Sequence, residues 1–135
     1  MATIERFEDI KSWQLARQLA HEIYLVTQRE PARYDFSLKD QINKSMGSAM
    51  DNIAEGFERD GNKEFIQFLF VSKASIGEAR SQWYRMFDRN YTSGDEYERI
   101  HAELKRISYL IMQLISYLKK SEMKGTKYRN ASSKP

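Results

Sequence analysis

Cysteine is absent from the 135 residues of this chain, which excludes a disulfide framework, a thiolate metal site and a thiol nucleophile. That composition suits a reducing cytoplasm. There is no long apolar run: the opening "MATIERFEDI" places charges where a signal peptide needs hydrophobic residues, and no stretch approaches the length of a membrane span. The expectation is a soluble, cytoplasmic protein with no membrane partner. Histidine occurs only twice, at His21 and His101, and no phosphate-cradling glycine loop, nucleophile elbow or zinc-ligand spacing is present. Charge of one sign is lacking too, because residues 122–135 carry 4 of the 22 Lys and Arg and 1 of the 19 Asp and Glu, leaving 18 of each in the body. The net charge of +3 therefore resides in the C-terminal tail. The tail attracts phosphate by counterion release or is simply a solvated terminus.

Proline is as scarce, with only Pro31 and Pro135, and the long uninterrupted segments that remain show apolar residues three or four positions apart. The pattern predicts an all-α chain of four helices. Helix 1 is expected from about Glu8 to Gln28, with Trp13, Ala16, Ala20, Ile23 and Thr27 on one stripe, Leu15, Leu19 and Val26 beside it, and Pro31 ending it. Ser37 and Asp40 resemble a capping box for helix 2, whose stripe is Leu38, Ile42, Met46, Ala49, Ile53 and Phe57. Asn62 is the expected cap of helix 3, which sends Phe65, Leu69, Ser72, Ile76, Ala79, Trp83 and Phe87 to the core. Helix 4, capped by Ser93 or Asp95, alternates strictly through Tyr97, Ile100, Leu104, Ile107, Ile111, Leu114 and Leu118. Short turns between such helices give an up-down-up-down antiparallel four-helix bundle over residues 1–121, followed by a flexible basic tail at 122–135. Helix 1 is apolar over about half its circumference, wider than the stripe of about 100° that a lone bundle helix needs, so homo-oligomeric assembly is expected.

A second stripe on helix 2 joins Gln41, Ser45, Ser48, Asn52, Glu55 and Arg59, and helix 3 has a counterpart in Ser75, Glu78, Gln82 and Arg89. One reading is an ordinary solvated boundary. The other is a tight helix or oligomer contact, in which small residues let backbones approach and desolvated polar groups need partners. Gly56 costs roughly 1 kcal/mol inside a helix relative to alanine, so it points to close backbone contact or a bend. On the opposite side of helix 3, Ile66, Phe70, Lys73, Gly77, Arg80 and Tyr84 form an exposed patch suited to a subunit contact or to stacking and phosphate contacts with nucleic acid. Glu98 and His101 match the Glu-x-x-His spacing of di-iron bundles, but only one copy is present and Glu98 lies off the apolar stripe. No metal, cofactor, catalytic residue or small-molecule substrate is expected.

The segment "QINKSMGSAMDNIAEGFER" resembles the signature Q-I-x-R-A-x-x-S-I-x-x-N-I-A-E-G-x-x-R, keeping Gln41, Ile42, Ser48, Asn52 to Gly56 and Arg59. "SKASIGE" approximates a second block, keeping Lys73, Ser75 and Glu78, and "FEDIKSWQLA" is similar to the same family's first helix. These blocks belong to the small bacterial four-helix-bundle proteins encoded in intervening sequences of 23S ribosomal RNA genes. The chain departs from their pattern at Lys44, Met50 and Ala74. The resemblance implies a homo-oligomer, a closed ring of five being the associated state, without enzymatic activity. It also implies kinship with the accessory proteins of diversity-generating retroelements, basic pentameric barrels that bind a reverse transcriptase and nucleic acid. The functional expectation is thus a non-enzymatic scaffold that binds RNA or an RNA-handling partner such as a reverse transcriptase, through Phe70, Lys73, Arg80, Tyr84, Arg85, Arg89 and the tail residues Lys124, Lys127 and Arg129. A protein–protein adaptor without nucleic-acid affinity is the alternative.

Overall fold

The computed structural model describes residues 4–123, so Lys124, Lys127 and Arg129 lie outside the described residues. Four α-helices account for most of them: α1 (Lys11–Thr27), α2 (Phe36–Glu58), α3 (Asn62–Asp88) and α4 (Gly94–Met123), with short 3-10 turns at Phe7–Asp9 and Ala32–Tyr34. No strand occurs among the described residues. Contacts close a four-helix bundle in which α2 neighbours α1 and α3, and α4 neighbours α3 and α1. The partners run in opposite senses: Gln41 meets Arg85 and Ala49 meets Ser72 across α2 and α3, while Glu22 meets Arg99 and Arg29 meets Glu96 across α1 and α4. None of these helices is long and apolar enough to cross a membrane.

The apolar periodicity converts directly into the core. All seven stripe residues of α4 from Tyr97 to Leu118 are buried, as are Leu38, Ile42, Met46, Ala49 and Ile53 on α2. The expected stripe of α1 is rotated. Ala16, Leu19, Ile23, Val26 and Thr27 are buried, whereas Trp13 and Ala20 are half-buried at the edge. The cause lies upstream of the helix, because the chain does not enter α1 at Glu8 but folds a 3-10 turn whose Phe7 ring meets the Trp13 ring edge-on at 5.1 Å. On α3, Phe87 is 39% exposed and its neighbour Met86 takes the core position. Phe57 likewise sits half-buried at the bundle's edge, edge-on to Phe65 at 5.8 Å.

Two caps differ from expectation. Asp35, not Ser37, opens α2, its Oδ1 accepting the Leu38 amide at 3.3 Å, because Phe36 and Ser37 are already helical. Asn62 is the first residue of α3 and Gly61 precedes it with φ 98, a left-handed geometry that a residue with a Cβ adopts only with strain. Ser93 caps α4 by accepting the Glu96 amide at 3.1 Å. One end of the bundle is then tied by two carboxylates. Asp35 accepts from Arg89 at 2.6 Å and from the Tyr91 hydroxyl at 2.8 Å; Glu96 accepts from Arg29 at 2.7 Å and from Thr92 at 2.6 Å.

Burial alone would raise the Asp35 pKa, but the hydrogen bonds from Tyr91, Arg89 and the Leu38 amide outweigh it and hold the carboxyl below its ordinary value. The Arg29 hydrogen bond chiefly does the same for Glu96. Lowered carboxylate values add stability that is complete above the ordinary values of 3.8 and 4.5 and is lost as pH falls through the folded ones. Urea unfolding is therefore expected to show Asp35→Ala losing about 1–2 kcal/mol at neutral pH, while Ser37→Ala stays within about 0.5 kcal/mol. The Asp35→Ala deficit should shrink as pH is lowered toward 3, and a constant deficit would remove the linkage.

Candidate functional site

The polar stripe of α2 faces α3 for most of its length. Ser45 donates to Gln82 Oε1 at 2.8 Å, the Ser48 and Ser75 hydroxyls meet at 2.8 Å, and the buried Ser72 hydroxyl donates to the Ala49 carbonyl at 2.7 Å. Hydroxyls on small side chains satisfy one another here without holding the helices apart. Asn52 turns back on its own helix, donating to the Ser48 carbonyl at 2.8 Å and its hydroxyl at 3.1 Å. At the end of the seam a Cβ placed on Gly56 would lie 2.6 Å from Phe68 Cβ and 3.1 Å from Phe65 Cδ1, so only glycine permits this approach. Gln41 at the other end accepts from Arg85.

The remaining stripe residues stand apart. Glu55 and Arg59 form an exposed ion pair at 3.0 Å within α2, and Arg59 also lies 3.7 Å from Glu64 and 5.0 Å from the Phe68 ring. Glu78 is exposed. Six of the nine residues read as contact residues thus connect α2 with α3, namely Gln41, Ser45, Ser48, Gly56 and Ser75 directly and Asn52 through Ser48.

The six α3 residues expected to contact RNA or a partner divide. Arg85 and Arg89 point toward α2, bound to Gln41 and Asp35. Phe70, Lys73, Arg80 and Tyr84, with Gly77 between Lys73 and Arg80, recur every three or four residues along the other side of α3, and contacts join that side to α4 at both ends. The Lys119 ammonium lies 5.2 Å from the Phe70 ring centroid, and the His101 ring lies 5.2 Å from that of Tyr84. Between them Lys105 and Arg80 are close enough to influence the His101 charge. Lys73, Arg80, Lys105 and Lys119 have no ion-pair partner among the described residues, whereas Arg29, Arg59, Arg89 and Arg99 do.

The Tyr84 end is an aromatic cluster. Tyr97 stacks with Phe87 at 4.5 Å and with Trp83 at 6.3 Å, and His101 stacks on Tyr97 at 5.3 Å. Trp83 donates its indole N–H to the Tyr97 carbonyl at 3.1 Å. Arg80 Nε, Tyr97 Oη and His101 Nε2 are buried without a hydrogen-bond partner. Burial chiefly pushes the Tyr97 phenol up, with the Tyr84 hydroxyl adding to it. Burial, then the charges of Arg80 and Lys105, pulls His101 down, and Glu98 opposes them.

Lys105 and Lys119 escaped the sequence reading. Their offset from the α4 core stripe was visible, but only the register of α4 against α3 sets them beside Phe70 and Tyr84. Among the described residues no three His, Asp or Glu side chains gather as a metal site. Glu98 is exposed beside the half-buried His101, and His21 is exposed on α1 among Arg17, Gln18 and Glu22.

Urea unfolding of two variants and an NMR titration check these contacts. Gly56→Ala is expected to destabilise the chain by about 1–3 kcal/mol through overpacking despite the better helix propensity of alanine. Glu55→Ala is expected to cost no more than about 0.5 kcal/mol, because its ion pair is exposed. By NMR, His101 is expected to titrate below 6.5. Since its folded value is depressed, stability is full above pH 6.5 and declines as pH falls toward the folded value; a midpoint at or above 6.5 contradicts this.

Comparison with known proteins adds an independent line. The sequence profile described as 23S rRNA-intervening sequence protein matches residues 8–113. A crystal structure of a protein with unknown function from the S23 ribosomal protein family of Bacteroides thetaiotaomicron superposes with a TM-score of 0.71 at 21% identity, covering 78% of this chain and 95% of that one. No curated protein matches. The superposition attests the fold, and the profile covers α1 to α3 and reaches into α4; this chain belongs to the family of 23S rRNA-intervening sequence proteins.

Proposed function

We propose that this protein is a non-enzymatic, self-associating helical scaffold whose α3–α4 face binds RNA. The observation that carries the reading is the row of cations at Lys73, Arg80, Lys105 and Lys119, which lack ion-pair partners among the described residues and interleave with Phe70 and Tyr84. A cation without a carboxylate partner keeps its counterions, and releasing them on phosphate is the general driving force of nucleic-acid binding. A reverse transcriptase is the RNA-handling protein that the sequence resemblance suggests. Self-association is supported by α1, where Tyr24 and Leu25 are 47% and 50% exposed. A ring of five copies would cover such a flank and repeat the basic face around its circumference. No reaction, cofactor or small-molecule substrate is assigned to it, and its place of action is the cytoplasm.

A protein–protein adaptor is the competing reading, favoured by the equal numbers of acidic and basic residues in the body. Salt titration separates the two. Contact with four phosphates per copy predicts a log–log slope of affinity on salt near about −3 for single-stranded RNA, and charge-removing substitutions at Lys73 and Lys105 should flatten it. Absence of RNA binding even at low salt would sink the RNA reading and leave the adaptor. Light scattering on the same preparation should give a multiple of the 16.0 kDa chain mass; a monomer at micromolar concentration would remove the self-association.

A further inference from the structure

Along the α3–α4 face, each end couples an exposed ring with positive charge. At one end Phe70, 42% exposed, lies beside Lys119; at the other Tyr84, 47% exposed, adjoins Arg80 and Lys105 through His101. The two rings are fourteen positions apart on α3, a separation of about 21 Å along a helix axis. Midway, Gly77 leaves the surface open, since a Cβ there would meet nothing within 4 Å. Lys73 and Arg80 flank that opening along the sequence. We infer that this face takes unpaired, single-stranded RNA, whose bases stack on Phe70 and Tyr84 while its phosphates follow the cations between them.

The inference rests on the RNA-binding reading and deepens it. In a duplex the bases are stacked on one another and paired, and the deep, narrow major groove of A-form RNA keeps side chains from them. A duplex would meet the four cations and make no use of the two rings. An unpaired base offers a π-face to each ring, and stacking of this kind tolerates any base.

The test is fluorescence anisotropy at low salt with labelled oligouridylate and oligoadenylate of about 12 nucleotides, within the usual site sizes for single-strand binders, against a blunt RNA duplex of equal length. The wild-type chain is expected to prefer both single strands to the duplex by at least about tenfold, and Phe70→Ala to weaken single-strand binding by about 5- to 100-fold while leaving the duplex nearly unchanged. Tyr84→Ala should act similarly. Because Tyr84 also packs on Tyr97 and His101, Tyr84→Phe and Phe70→Tyr serve as stacking-competent variants that keep binding, and thermal melts report folding for all four. Equal affinity for duplex and single strands, or a folded Phe70→Ala variant that binds single strands like the wild type, overturns this inference and leaves RNA binding intact. Failure of every RNA to bind overturns both.

Discussion

The close approach of α2 and α3 is the constraint from which the rest of the bundle follows. At Gly56 the α2 backbone comes so near Phe65 and Phe68 that a single methyl group would not fit. Farther along, three separate hydrogen bonds join the helices, from Ser45 to Gln82, between Ser48 and Ser75, and from Ser72 to the Ala49 carbonyl. Short side chains set the distance and hydrogen bonds set the register. With α3 so pinned, its residues opposite α2 have one place to go: Phe70, Lys73, Arg80 and Tyr84 turn toward α4 and the solvent beside it. The candidate interface is thus a by-product of the seam on the other side of the same helix.

Charge is distributed in keeping with that division. At the end where α1 meets the α3–α4 turn, ion pairs and hydrogen bonds join segments distant in sequence, as Asp35 with Arg89 and Arg29 with Glu96. These groups hold the turns in place and are not available to a ligand without breaking the fold's own contacts. The α3–α4 face is different in kind. Lys119 lies against the Phe70 ring and Arg80 and Lys105 lie near His101, with Glu98 the acidic neighbour, and none of these three cations forms an ion pair among the described residues. A molecule whose body carries equal numbers of both charges therefore still presents a locally positive surface, which explains how a balanced composition is compatible with an anionic partner.

The family assignment and the seam illuminate one another. The run Asn52 to Gly56 is the most recognisable part of the sequence signature, and it serves two physical purposes. Gly56 allows the helix approach, and Asn52 buttresses Ser48 where it meets Ser75. Glu55 and Arg59, equally part of the signature, contribute only an exposed pair within this single chain.

Four helices, their order and nearly all of the core were legible in the sequence because burial of one face imposes a 3.6-residue period that composition alone displays. The α4 stripe and the α2 stripe through Ile53 emerged residue for residue. Other features depend on what lies across the gap. The phase of the α1 stripe was set by Phe7 packing on Trp13, and the choice of Met86 over Phe87 for the core goes with Phe87 stacking on Tyr97 in the aromatic cluster, where it stays 39% exposed. The cap at Asp35 depended on where the backbone became helical. Likewise Arg85 and Arg89 read as ligand-facing until Gln41 and Asp35 claimed them, and Lys105 and Lys119 gained a place beside His101 and Phe70 only once α4 lay beside α3. Periodicity is a property of one helix and is written in the sequence; the rotation and register of one helix against another are sums over many weak contacts, and they exist only once the chain has packed.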